Sequence, residues 1–184
     1  MLKELSLSKV FTFIESGPVT LITTRNGAKD NVMTISWTMA MNFEGNIAIS
    51  TGPWNESFET LMTNKECVVA IPTASMIEKC VRIGTINGSK VDKFKLFDLT
   101  KEKGKNVKAP LIVECKANIE CIVTDYIEKY GIVILEPKRL VINEKYIMEK
   151  GFHAIGDGRF IVDGDIKDYH DLMAKWVPEG IYEK

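Results

Sequence analysis

Asn31, Thr34 and Ser36 fall within a seven-residue segment, 31 to 37 (NVMTISW), that ends on a tryptophan. In an extended chain, successive side chains point to opposite faces. Val32, Thr34 and Ser36 then share one face, and Met33, Ile35 and Trp37 the other. Small hydroxyls and backbone groups along such a strand can meet the polar edge of a flat ring, while apolar side chains supply a bed. The same residues also make an ordinary sheet strand with serine and threonine at its surface. By residue type alone this plainer reading is the stronger.

A second group, Ser50, Thr51, Asn55, Ser57 and Thr60, surrounds a turn leading into a helix. Hydroxyls, an amide and free helix N–H groups together suit a phosphate. Turn and capping chemistry draws on the same residue types. Lys93, in DKF at another expected helix start, carries an ammonium that either neutralises a phosphate or is simply solvated. Trp54 and Phe58 either cover a ligand or pack on the core. His153 and His170 can titrate near neutrality, but neither stands beside a nucleophile or a ligand pattern, and both read as structural or exposed. Cys67, Cys80, Cys115 and Cys121 form no CxxC pair, and two histidines are too few for the usual zinc patterns. The thiols therefore read as buried packing groups. The absence of GxxxxGK(S/T), GxGxxG and HExxH removes the simplest routes to nucleotide hydrolysis, Rossmann binding and zinc proteolysis.

The elements that must hold these residues are mostly strands. Residues 19 to 24 (VTLITT) are rich in β-branched side chains and read as a strand, and Asn26-Gly27 marks a tight turn into the strand expected over 31 to 38. Further strands are expected over 46 to 51, 66 to 71, 112 to 123, 130 to 135 and 139 to 142, with Pro137 separating the last two. In the 112 to 123 segment, Val113, Cys115, Ala117, Ile119, Cys121 and Val123 share one parity. Glu114, Lys116, Asn118 and Glu120 share the other, which predicts one wet face. Short helices are expected from Ser57, with Ser57 as cap, and from Thr73 or Ser75, where Ile77, Cys80, Val81 and Gly84 would lie on one side. Two more are expected, from Asp92 and over 168 to 176. The connections are too short for repeated βαβ crossovers, so a closed antiparallel barrel fits better.

A chain of 184 residues suits one domain and can bury a core without disulfides or metal. Twenty-four basic against 25 acidic residues, interspersed, argue against nucleic acid as the main partner. No apolar run is long enough to span a membrane, and Lys9, Thr12 and Glu15 interrupt any signal-peptide core. A cytoplasmic protein without a membrane partner is the expectation.

Four segments in order, PVTLITT (18 to 24), NVMTISW (31 to 37), NKECVVAIP (64 to 72) and VDKF (91 to 94), resemble the flavin reductase-like family, especially its flavoredoxin-related branch. APLIVECKANIEC (109 to 121) adds to the resemblance, which extends over roughly residues 8 to 145. It implies a mainly β fold, an FMN-binding split β-barrel of Greek-key antiparallel type with short peripheral helices. The whole chain, 1 to 184, would be one flavin reductase-like domain, with the core barrel at about 8 to 145 and an irregular C-terminal extension from 146.

The resemblance further implies noncovalent FMN near the subunit boundary of a homodimer. The strand beginning at Asn31 would border the isoalloxazine ring through Met33, Thr34, Ile35, Ser36 and Trp37. Ser50, Thr51, Asn55 and Ser57 would serve the ribityl-phosphate end, with Lys93 adding positive charge. Family members with ferric-reductase or monooxygenase-partner character often carry an arginine-rich phosphate turn. Here the turn reads Trp54-Asn55-Glu56, without arginine, so the resemblance does not by itself extend to those substrate preferences. Electrons would pass from NADH, NADPH or a redox protein, through FMN, to an acceptor that the sequence does not specify. The alternatives are an electron-transfer flavoprotein with little NAD(P)H oxidation, or a non-catalytic flavin-binding barrel.

Overall fold

The computed structural model describes residues 1–177 and 181; the other residues of the expected C-terminal extension lie outside the described residues. The strands are β1 (Leu2–Leu5), β2 (Thr20–Asn26), β3 (Lys29–Ile35), β4 (Thr38–Ala40), β5 (Ile47–Ser50), β6 (Glu66–Ile71), β7 (Lys101–Glu102), β8 (Leu111–Ile112), β9 (Ala117–Ile127), β10 (Ile132–Asn143), β11 (Phe152–Ala154) and β12 (Phe160–Val162). The helices are α1 (Val10–Ile14), α2 (Ser57–Asn64), α3 (Ile77–Thr85), α4 (Lys93–Leu96) and α5 (His170–Met173).

One antiparallel sheet runs in the order β3-β2-β6-β9-β10-β5-β4, with β1 also on β10. The two ends of this path, β3 and β4, are consecutive in sequence, separated by Ser36 and Trp37 alone. Six inter-strand steps would part them by roughly 29 Å in a flat sheet, at about 4.8 Å a step. The linker can bridge only about 11 Å. The sheet therefore curls into a half-open barrel with a seam at Ser36-Trp37. The strand expected over 31 to 38 is in fact two pieces, because the chain changes edges there.

Inside the barrel lies the main core, which includes Ile22, Met33, Ile35, Ile49, Val69, Ile119, Cys121 and Leu135. A second core fills the space between the outer face of the β2–β3 hairpin and α3, α4 and β11. Leu21, Val32, Cys80, Ile83, Phe94, Cys115 and Phe152 belong to it. All four cysteines are free and buried, as expected. Cys115 and Cys121 nevertheless belong to different cores, because the expected 112 to 123 strand is broken. Leu111–Ile112 pairs with β7, a turn follows, and the long strand begins only at Ala117.

The predicted wet face of that strand is also overturned. Asn118 and Glu120 are both 0% exposed. Asn118 brackets Ile112, accepting from its N–H at 2.8 Å and donating to its carbonyl at 3.0 Å. Glu120 accepts from the backbone N–H groups of Lys105, Asn106 and Val107 and from Arg139 Nη1 at 2.7 Å. A polar parity can thus be buried when a neighbouring loop supplies the donors.

Pro137 does not divide two strands. It sits inside β10 at a register shift, between the stretch that pairs with β5 and the stretch that pairs with β1. A bulge off the main ladder is where a strand tolerates proline. In α3, Ile83 rather than Val81 turns inward; Val81 is 41% exposed. A 3-10 turn, Ala74–Met76, precedes this helix, so neither Thr73 nor Ser75 caps it. The terminal helix is shorter than expected, His170–Met173. The glycine-rich tail contains the β11–β12 hairpin, which periodicity over three-residue strands could not reveal. His153 fastens it, with Nε2 2.6 Å from Asp163 Oδ1 and Nδ1 3.2 Å from the Gly17 carbonyl.

Candidate functional site

Because β3 ends the sheet path, only β2 pairs with it among the described residues. Val32 turns its N–H and carbonyl to the outer edge, where they meet Asn31 Oδ1 at 2.9 Å and Lys93 Nζ at 2.9 Å. Alternation by two residues turns the Thr34 N–H and carbonyl to that same edge. A cavity of ≈ 260 Å³ opens there. Met33 and Thr34 form one wall, the start of α2 (Trp54, Asn55, Glu56, Ser57) another, and residues 83 to 87 with Lys93 the third.

Each wall has a local cause. The second begins a helix whose N-terminal residue, Glu56, makes no side-chain cap bond. Ser57, expected as the cap, lies one position too far along; its Oγ accepts from Asn31 Nδ2 at 3.0 Å. The first-turn N–H groups of α2 thus lack a side-chain cap beside the cavity, an arrangement that favours an anion. Asn55 is held by its Nδ2 bond to Thr51 Oγ1, 3.0 Å.

Trp54 is 69% exposed. Its ring lies on Gly52 and Gly131, where added Cβ atoms would approach it to 2.3 and 2.5 Å. Two glycines thus seat a flat indole at the cavity mouth.

Lys93 is buried and donates to the Val32 and Ile83 carbonyls, both at 2.9 Å. Burial pushes its ammonium pKa down, and the negative charge of Glu56 opposes that shift. Asp92 caps the short α4 through the Lys95 N–H, as expected, and so places Lys93 at the first turn. Thr34 Oγ1 donates to the Cys80 carbonyl at 2.6 Å, tying β3 to α3.

Of the residues singled out from sequence, Met33, Thr34, Asn55, Ser57 and Lys93 come together around this cavity. Asn31 lines a neighbouring one. Ile35 points into the main core. Ser36 and Trp37 sit at the seam, with Trp37 74% exposed. Ser50 and Thr51 stand behind the wall: the Ser50 N–H bonds the Trp37 carbonyl and the Thr51 N–H that of Gly131. Sequence reasoning missed Glu56 and the 84 to 87 segment. Gly84 was the available sign, since its bare Cα faces Thr34 with room for a Cβ only in contact at 3.4 Å.

Residues 15–154 match the family model described as flavin reductase like domain. The chain belongs to the flavin reductase-like family. An Archaeoglobus fulgidus protein is 34% identical over 101 residues, which are 54% of this chain and 57% of that protein; the match thus spans little more than half the relative's length. Among solved structures, an FMN-binding domain of a flavin reductases-like enzyme from Shewanella baltica superposes with a TM-score of 0.83 at 17% identity, covering 91% of this chain and 97% of that one. Flavoredoxin of Desulfovibrio vulgaris gives 0.74 at 19%, covering 83% and 89%. These likenesses establish the split-barrel fold of the flavin reductase-like chain described here.

Proposed function

We propose that this chain binds FMN noncovalently in the cavity beside β3 and acts as an FMN-dependent oxidoreductase. The observation that carries the reading is the cavity's two-ended chemistry. At one end the free edge of Thr34 offers a donor and an acceptor in line, suited to the polar edge of a flat heterocycle. At the other, the uncapped start of α2, with Asn55 and Ser57, suits a phosphate. The exposed Trp54 ring supplies apolar surface at the mouth.

When bound, FMN supplies the redox chemistry. The chain's own residues orient it: α2 holds the anionic end, Lys93 fixes the β3 edge against α3, and Trp54 shields the mouth. No proton-transferring side chain is required of the protein. Electrons come from NADH, NADPH or a redox protein. The proposal includes a cytoplasmic homodimer, with the site near the subunit boundary. Trp37, Met39, Met41 and Phe43, each between 46% and 74% exposed around the seam, give a second copy an apolar face to cover. Among the described residues, no helix is long and apolar enough to cross a membrane.

The test is an anaerobic spectrum of purified protein before and after NADH or NADPH. Yellow protein with about one FMN per subunit, bleached by a nicotinamide, is the expected result. Colourless protein that takes up no added FMN refutes the reading. Bound FMN that is inert to both nicotinamides, yet reduced by an iron–sulfur or thiol protein, selects the electron-transfer alternative.

A further inference from the structure

A second cavity, ≈ 220 Å³, adjoins the first. Glu56 lines both. The Asn31–Ser57 hydrogen bond stands at the partition. Gly88 closes over it so tightly that an added Cβ would lie 2.1 Å from Asn31 Oδ1. Thr24, Asn26, Lys29, Thr60 and Ser89 complete the second lining, which contains no aromatic or long aliphatic side chain. Thr24, 1% exposed, carries the single buried side-chain polar atom without a partner among the described residues. Lys29 is committed to the Ser89 carbonyl at 2.9 Å.

We infer that Glu56 makes this site selective for FMN over FAD. The inference rests on the FMN reading above. A flavin monophosphate ends at the start of α2. FAD would extend it by a second phosphate and an adenosine, and an extension toward the second cavity would have to pass Glu56, the one residue that lines both. There a like charge meets the second phosphate. Beyond it, the adenine finds hydroxyls and amides in place of the apolar or aromatic bed a purine stacks on. Glu56 occupies a helix-start position where its carboxylate makes no capping bond.

The experiment measures FMN and FAD affinities of the flavin-stripped full chain by titration, at low and high salt, for wild type, Glu56→Gln and Glu59→Gln. Glu59 is an exposed residue of the same helix that lines neither cavity, so its variant controls for net charge. Wild type should prefer FMN. Glu56→Gln should raise the FAD-to-FMN affinity ratio about tenfold, an effect that shrinks with salt, as one partly screened like-charge contact would. Glu59→Gln should leave the ratio unchanged. The inference is overturned by a wild-type preference for FAD, by an unchanged ratio in Glu56→Gln, or by an equal shift in Glu59→Gln. Wild type that binds neither flavin overturns the FMN reading itself.

Discussion

Lys93 joins two elements with one ammonium, and both carbonyls it serves belong to fully buried residues, Val32 and Ile83. Lys93→Met leaves both acceptors unmatched and should destabilise the fold by about 2–4 kcal/mol, read from urea unfolding. Lys93→Glu adds repulsion toward a bound phosphate, so FMN affinity should fall further than in Lys93→Met, most at low salt. The cysteines act differently. Burial pushes the Cys67 and Cys80 thiols up to about 12 and those of Cys115 and Cys121 well above their ordinary value. None should react with a thiol reagent until the chain unfolds. Cys121→Ala should cost about 1–2 kcal/mol in packing and leave flavin reduction intact; loss of turnover in folded, FMN-loaded Cys121→Ala would refute this. At this scale, burial of the thiols was legible from apolar neighbours of the same parity. The bonding of Lys93 was not, because its partners are carbonyls 10 and 61 residues away.

The β2–β3 hairpin presents the site, and its register is pinned near the turn by Asp30. Arg25 grips the Asp30 carboxylate through Nε at 2.6 Å and Nη2 at 3.0 Å, and Lys101 Nζ adds a contact at 2.9 Å. Burial alone would raise the carboxyl pKa, but these hydrogen bonds outweigh it and hold the group below its ordinary 3.8. A depressed folded pKa stabilises above the unfolded value, and that contribution is lost as pH falls through 3.8 toward the folded value. Asp30→Asn should therefore lose roughly 2 kcal/mol at neutral pH, the two cations being partly solvated, and the gap to wild type should close in acid. Urea midpoints from pH 7 to pH 2 read this directly. Hairpin strands and the Asn26-Gly27 turn were legible because β-branched runs and turn residues act locally. The break of the 112 to 123 strand was not. Its even parity is polar in type, yet Glu120 is enclosed by the N–H groups of a distant loop. Pro137 misled for a related reason, since only the partner strands determine where a bulge can absorb it.

For the molecule as a whole, the barrel followed from counting short connections, but its seam did not. Nothing local in NVMTISW says that its two halves belong to opposite edges of one sheet. The segment is accordingly divided: Thr34 lines the cavity, Met33 borders it but packs with Ile35 in the main core, and Trp37 lies at the surface. The seam also sets where the native state opens first. Among the described residues the three-residue β4 pairs with no strand but β5, whereas the twelve-residue β10 is bonded along its length by β9, β5 and β1. Amide hydrogens of 38 to 40 should exchange with solvent deuterium orders of magnitude sooner than those of Val133 or Ile119, which await global unfolding. If a second copy covers the exposed methionines there, protection at 38 to 40 should rise with protein concentration while that of β9 stays fixed. The same three residues would then report, by their deuterium clock, how often two subunits part.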